Sequence, residues 1–215
     1  MIPDWASERR RMVERQLRAR GIHDQRVLQA MLSIPREEFV PPEHRVASYQ
    51  DEPLPIGHGQ TISQPYMTAL MAQCLELQGT ERVLEIGSGS GYHAAVLGAL
   101  AAEVVTIEIV PALAELAREN LKRTGCDRNV LVVCGDGSAG YAEKAPYSGI
   151  SVAAGAPDVP SALLEQLAEG GRLVIPVGEV GDQELRVLTR RGGKIESRVV
   201  ALCRFVPLRG FQGWR

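Results

Sequence analysis

The sequence predicts an α/β fold, doubly wound around a mainly parallel sheet, with an N-terminal helical extension and C-terminal antiparallel strands. Three observations predict it. From residue 82, short runs rich in valine, leucine and isoleucine alternate with helix-patterned segments, as successive βα units require. Before residue 80 the apolar positions recur at helical spacing. After residue 180, two apolar runs flank Arg191-Gly-Gly-Lys194, a hairpin signal. A chain of 215 residues that is 45% hydrophobic has material for one core. The expected organisation is a single domain over 1–215: N-terminal helices and a turn-rich loop in 1–80, a βα core in 81–180, and a C-terminal hairpin with a closing segment in 181–215.

The elements follow in order. Residues 5–20 carry Trp5, Met12, Val13 and Leu17 in a helical pattern that Gly21 ends. Asp24 suits the N-cap of a second helix bearing Val27, Leu28, Met31 and Leu32, and Pro35 bars its continuation. A turn-rich stretch over 48–62 leads to a helix starting near Ser63 with Met67, Leu70, Met71 and Leu75. Strands are expected at 82–86, 103–108, 129–134, 150–153 and 172–177. Helices are expected at 92–100, 111–122 and 161–168, the second opened by Pro111 in its first turn. Gly170-Gly171 reads as a turn before the strand at 172, and the hairpin pairs 185–189 with 195–202.

Composition narrows the function classes. A formal net charge of −2 gives no footprint for nucleic-acid binding. Arg9-Arg10-Arg11, with Glu8 and Glu14 beside them, read as a solvated helix face. No apolar run reaches transmembrane length and the N-terminus lacks a signal-peptide core, so neither membrane nor export is expected. Cys74, Cys126, Cys134 and Cys203 lack Cys-x-x-Cys spacing, and the four histidines form no cluster. The expectation is a cytoplasmic protein with reduced thiols and no metal.

Glu85-Ile-Gly-Ser-Gly-Ser-Gly91 follows a predicted strand and opens a predicted helix. Glycines there permit positive φ and close approach of a nucleoside to the backbone. Glu108 ends the next strand, where a carboxylate can accept from both ribose hydroxyls. Gly135-Asp136-Gly137 ends the one after, where the aspartate either makes a turn or accepts from an adenine amino group. A dinucleotide fingerprint would read Gly-x-Gly-x-x-Gly. The observed spacing, with an acidic residue at the loop entrance, suits a cationic sulfonium amino acid better than a pyrophosphate. Together these motifs resemble those of Rossmann-like class I methyltransferases that use S-adenosyl-L-methionine.

Upstream, Pro55-Ile-Gly-His-Gly-Gln-Thr-Ile-Ser-Gln-Pro-Tyr-Met67 narrows the resemblance to the protein-L-isoaspartate O-methyltransferases. Further matching segments are Gln16-Leu-Arg-Ala-Arg-Gly-Ile-His-Asp24, Pro35-Arg-Glu-Glu-Phe-Val-Pro41, Gly171-Arg-Leu-Val-Ile-Pro-Val-Gly178 and Phe205-Val-Pro-Leu208. The resemblance covers nearly the whole chain. It implies Ser63 as the active-site serine. As cofactor contacts it implies Thr61, Ile62, Glu85, Gly87, Ser88, Gly89, Gly91, Glu108, Asp136 and Gly137, with Leu208 and Arg209 in a segment that closes over the site. It further implies a monomer that methylates the free carboxylate of isoaspartyl residues in proteins and peptides, starting repair through a succinimide. A class I methyltransferase acting on a small-molecule carboxylate or another protein group stays open as the alternative.

Two points carry expectations of their own. Ser63, two residues before Pro65, suits an N-cap as well as a substrate hydroxyl, and the two roles are compatible. Ser148-Gly149 stand where the family pattern carries aspartate-alanine; a glycine at a strand entrance predicts a loosened strand and a looser pocket beside it.

Overall fold

The computed structural model describes residues 3–214. The chain runs α1 (Trp5–Met12), α2 (Gln25–Ser33), the strands β1 (Leu54–Gly57) and β2 (Gln60–Ile62), then α3 (Pro65–Cys74). The core follows as β3 (Arg82–Ile86), α4 (Tyr92–Gly98), β4 (Glu103–Glu108), α5 (Pro111–Thr124), β5 (Val130–Cys134) and β6 (Tyr147–Val152). Last come α6 (Ser161–Glu165), β7 (Leu167–Glu179), β8 (Asp182–Arg191) and β9 (Lys194–Cys203).

Seven strands form one sheet in the order β5-β4-β3-β6-β7-β8-β9, parallel through β7 and antiparallel from β7 to β9. The strand order reverses between β3 and β6. At such a switch point the loops leaving the two strands diverge and open a crevice at their carboxyl ends. Alternation along the strands divides the core. Val83 and Val104 pack with α3, α4 and α5, while Leu84, Ile86, Val105 and Ile107 pack on the other face with α6 and Leu208.

The N-terminal helix continues past α1 through a widened turn over Val13–Leu17 and a tight one over Arg18–Arg20. It stops at Gly21, which takes φ 91°. Asp24 caps α2 through the Arg26 and Val27 amides. Arg9 departs from the expected solvated face. Its guanidinium lies 3.0 Å from Glu37, donates to the Tyr49 hydroxyl at 2.9 Å and reaches the Leu32 carbonyl. A partner 28 positions away turned one member of the arginine run inward.

Three local expectations are corrected. The stretch before α3 is a β-hairpin closed by His58-Gly59, both at positive φ (53° and 70°), the backbone that a two-residue turn needs to match strand twist. Gly170-Gly171 do not precede β7 but lie within it; the pairing of β6 with β7 jumps from Tyr147↔Leu167 to Gly149↔Arg172. Gly171 allows this bulge because a Cβ there would stand 3.1 Å from the Tyr147 carbonyl oxygen. The strand bearing Ser148-Gly149 is not loosened. Gly149 pairs with Val83 on one side and Arg172 on the other, and Leu75, Leu77 and Val83 close over it at van der Waals distance.

Candidate active site

The crevice at the switch point is a cavity of about 800 Å³, part of it open to solvent. Its floor is the β3–α4 loop. The Gly87 amide donates to the Ile107 carbonyl at 2.8 Å, and Gly91 folds back onto Ser88 at 2.8 Å. From α5, Asn120 holds the Ser90 carbonyl at 2.9 Å. Gly87, Ser88 and Gly89 line the cavity. Gly91 does not; it packs α4 against α5, where a Cβ would meet the Ala117 carbonyl oxygen at 3.2 Å. The third glycine therefore sets a helix–helix distance.

Glu108 stands at the end of β4 and lines the cavity, only 5% exposed. Its Oε2 accepts from the Gly89 amide at 2.9 Å and its Oε1 from the Val110 amide at 3.0 Å. Each oxygen keeps acceptor capacity, so a pair of neighbouring hydroxyls can donate to a carboxylate that the backbone already holds in position. Ile107, Ile109 and Ile86 supply the apolar wall beside it.

Glu85, the acidic residue expected at the loop entrance, does not reach the cavity. It is fully buried and absent from the cavity wall. Thr106 Oγ1 donates to its Oε2 and is itself bonded to Ser88 Oγ at 2.6 Å. His93 Nδ1 lies 3.4 Å from its Oε1. Burial pushes the Glu85 carboxyl up to about 8, with nearby Glu108 adding to the rise against the Thr106 bond. Burial also drives His93 down to about 4. Burial therefore favours the uncharged form of each, and Glu85 braces the loop from beneath through Thr106 and Ser88.

Asp136 likewise turns away from the cavity. It accepts from the Ser138 amide and hydroxyl at 2.9 and 2.7 Å and from the Phe211 amide at 2.7 Å. Its carboxylate thus pins the C-terminal segment, aided by Ser138 Oγ accepting from the Gln212 amide at 3.0 Å. The Leu208 amide donates to Gly155 at 2.8 Å, so Val206, Pro207, Leu208 and Arg209 form one side of the cavity. Gly137 lines the cavity beside them.

The β1–β2 hairpin supplies the opposite side with Gln60, Thr61, Ile62 and Ser63. Helix α3 begins at Pro65 with Gln64 as N-cap and no side-chain cap, so Ser63 does not cap it. Pro65 explains the start: it fixes a helical φ and has no amide to satisfy. The Ser63 carbonyl is held by Arg36 Nη2 at 2.8 Å. Its hydroxyl has no hydrogen-bond partner among the described residues, and Ser63 lines both this cavity and a smaller neighbour.

Several lining residues escaped the sequence reading: Thr68, Tyr92, His93, Ala153 and Ala154. Ala153 and Ala154 directly follow β6, so the switch-point rule would have found them had the sheet order been known. Among the described residues Ser90 Oγ and His93 Nε2 are buried without a partner, polar atoms left for a ligand to meet. The residues fit S-adenosyl-L-methionine in three respects: a floor of glycines without side chains, a braced carboxylate for a diol, and unpaired polar atoms at the loop. Among the described residues no group of three or more His, Cys, Asp or Glu side chains is placed to hold a metal ion. No helix among them is long and apolar enough to cross a membrane.

This sheet order, with the glycine loop and acidic strand end at the switch point, defines a class I methyltransferase. A solved protein-L-isoaspartate O-methyltransferase superposes with TM-score 0.84 at 32% identity, covering 95% of this chain and 67% of that one. A Plasmodium falciparum structure described as a beta-aspartate methyltransferase, in complex with S-adenosyl-L-homocysteine, superposes with TM-score 0.79 at 28% identity over 97% of this chain and 99% of that one. The family model for protein-L-isoaspartate(D-aspartate) O-methyltransferase matches residues 7–213. Protein-L-isoaspartate O-methyltransferase 2 of Marinobacter nauticus is 57% identical over 98% of this chain and 97% of its own length. The protein-L-isoaspartate O-methyltransferase of Methanospirillum hungatei is 53% identical over 97% and 96%. The chain belongs to the protein-L-isoaspartate O-methyltransferase family.

Proposed function

We propose that this chain transfers a methyl group from S-adenosyl-L-methionine to the free carboxylate of isoaspartyl residues in proteins and peptides. Family membership supports the reaction. The observation that carries the site assignment is the meeting of the glycine-floored cavity with a second cavity across Thr61 and Ser63. Donor and acceptor can then approach each other from opposite sides of one hydroxyl-bearing wall.

When bound, S-adenosyl-L-methionine supplies an electrophilic methyl on a sulfonium leaving group. Glu108 holds a diol, and Gly87, Ser88, Gly89 and Gly137 give the nucleoside room. Glu85 and Gly91 act at one remove, through the loop's bracing and its packing on α5. Asp136 acts by fixing the segment that walls the cavity. Thr61 and Ile62 shape the wall on the hairpin side. The Ser63 hydroxyl, free of any cap, donates to the acceptor carboxylate. That carboxylate is ionised at neutral pH, since its pKa is ~3.9, so the chain need supply no general base. Alignment and exclusion of water remain, and the apolar wall of Ile62, Val206 and Leu208 serves the second. Esterification removes the charge and makes methoxide the leaving group. The following backbone nitrogen then closes a succinimide with loss of methanol, and ring hydrolysis returns a share of normal aspartyl residues.

The same reading has the chain act as a cytoplasmic monomer, without nucleic acid or membrane. Its formal net charge of −2 and scattered free cysteines support that part.

The test is transfer of labelled methyl to an isoaspartyl peptide, with the matching aspartyl peptide as control. Transfer to the isoaspartyl peptide alone is expected. Equal transfer to both would favour a methyltransferase of broader substrate range, and transfer to neither, with S-adenosyl-L-homocysteine still bound, would reject the assignment.

A further inference from the structure

The smaller cavity spans about 350 Å³, part of it open to solvent, and is lined by Pro53, Gln64, Met67, Phe205 and Arg204, besides the wall it shares with the larger one. That shared wall is Thr61, Ser63, Ala153 and Val206. Arg204 is the single charged side chain in the lining. It has no carboxylate or carbonyl partner among the described residues, while ten other arginines form ion pairs there with acids.

The backbone that carries Arg204 is held firmly. Buried Gln183 on β8 accepts from the Phe205 amide at 2.7 Å through its side chain, and its own carbonyl accepts from Cys203 Sγ at 3.6 Å. One residue on either side of Arg204 is thus tied to the same position. A long cationic residue on fixed backbone thus lines the same cavity as Ser63, whose hydroxyl has no partner among the described residues. Guanidinium and hydroxyl donors together match a carboxylate, which accepts at both oxygens.

Resting on the methyl-transfer reading above, we infer that Arg204 is the carboxylate anchor of the acceptor subsite and pairs with the isoaspartyl carboxylate beside Ser63. The guanidinium holds one oxygen end-on and leaves the other free to attack. Anchoring of this kind acts on binding and on the choice of a charged over a neutral acceptor. It does not make the oxygen more nucleophilic, because a cation draws electron density away from it. The effect belongs in KM, not kcat.

The experiment compares the wild type with Arg204→Gln and Arg204→Lys, each loaded with S-adenosyl-L-homocysteine. Calorimetry measures binding of an isoaspartyl peptide and of the same peptide with that carboxylate converted to carboxamide, and initial rates give KM and kcat with S-adenosyl-L-methionine. The wild type is expected to prefer the carboxylate peptide. Arg204→Gln should lose that preference, with KM raised roughly tenfold to hundredfold. Its kcat and S-adenosyl-L-homocysteine affinity should stay near wild type, and Arg204→Lys should recover part of the preference. Added salt should raise KM in the wild type more than in Arg204→Gln. Because Arg204 is exposed and unpaired, the thermal midpoint should not move. An active wild type whose preference and KM survive Arg204→Gln would overturn this inference alone. A wild type that neither binds nor methylates the isoaspartyl peptide would overturn both this inference and the reading beneath it.

Discussion

Arg36 Nη2 donates to the Ser63 carbonyl at 2.8 Å. The same side chain donates from Nε to the Ser48 carbonyl at 2.7 Å, and its guanidinium lies 4.9 Å from the centre of the Tyr92 ring. Tyr92 directly follows the glycine loop. One fully buried cation therefore joins the N-terminal extension, the hairpin that presents Ser63, and the helix that opens beneath the cofactor cavity. Burial lowers its pKa to about 10, which still leaves it charged at neutral pH.

Replacing Arg36 by methionine leaves one buried and one part-buried carbonyl unpaired and should cost about 2–4 kcal/mol of stability. Lysine keeps the charge, but a single ammonium does not reproduce the fork that spans both carbonyls. In both variants KM for an isoaspartyl peptide should rise more than the dissociation constant of S-adenosyl-L-homocysteine, as steady-state kinetics and calorimetry would show. Equal changes in the two constants would mean that Arg36 does no more than hold the fold.

Ser63→Ala separates the hydroxyl from the helix. Loss of a side-chain cap costs ~1 kcal/mol, but α3 has no side-chain cap to lose. Stability should change by less than ~0.5 kcal/mol in thermal or urea unfolding. Loss of one hydrogen bond to the acceptor should lower kcat/KM about tenfold.

Glu108→Gln tests the braced carboxylate. Both oxygens accept from backbone amides, so a glutamine must turn its NH2 against either Gly89 or Val110. An isosteric change should therefore weaken S-adenosyl-L-homocysteine roughly tenfold to hundredfold by calorimetry. Unchanged affinity would remove Glu108 from the diol site.

Glu85 gives the protein a pH dependence of definite sign. Its folded pKa is raised from 4.5 to about 8, so the folded protein keeps a proton that the unfolded chain releases. That contribution is fully present below pH 4.5 and is lost as the pH rises through about 8. His93, lowered from 6.5 to about 4, works the other way: its contribution is present above pH 6.5 and lost as the pH falls through about 4. Glu85→Gln retains His93, so the difference between the two proteins reports Glu85. The wild-type thermal midpoint should fall between pH 6.5 and 8 by more than the variant's. Parallel curves would place the ionised carboxylate in the folded state.

Much of this protein is local in origin. Alternating apolar runs gave the order of strands and helices, because each period is written within a few residues. Gly21 and Asp24 end and begin helices by their own backbone and side-chain chemistry. The glycine loop and Glu108 were legible for the same reason, since a strand-to-helix turn and a strand-end carboxylate are short-range features. The hairpin before α3 was not legible: it turns on His58 at positive φ, which only its paired strands enforce.

Tertiary structure decided what the site residues do. Glu85 has the side chain of an anion, yet burial beside Thr106 and His93 favours its neutral form and makes it a brace. Asp136 looked equally suited to a turn or an adenine, and a partner 75 residues away made it the clamp of the C-terminal segment. Ser63 lost its capping role because Pro65 sets the helix start and Arg36, 27 residues back, holds its carbonyl. By itself the sequence determined which groups are present and how the chain around each one bends. Which groups are charged, which are spent on the fold and which are left free depends on desolvation and on partners distant in sequence, and those exist only once the sheet has closed.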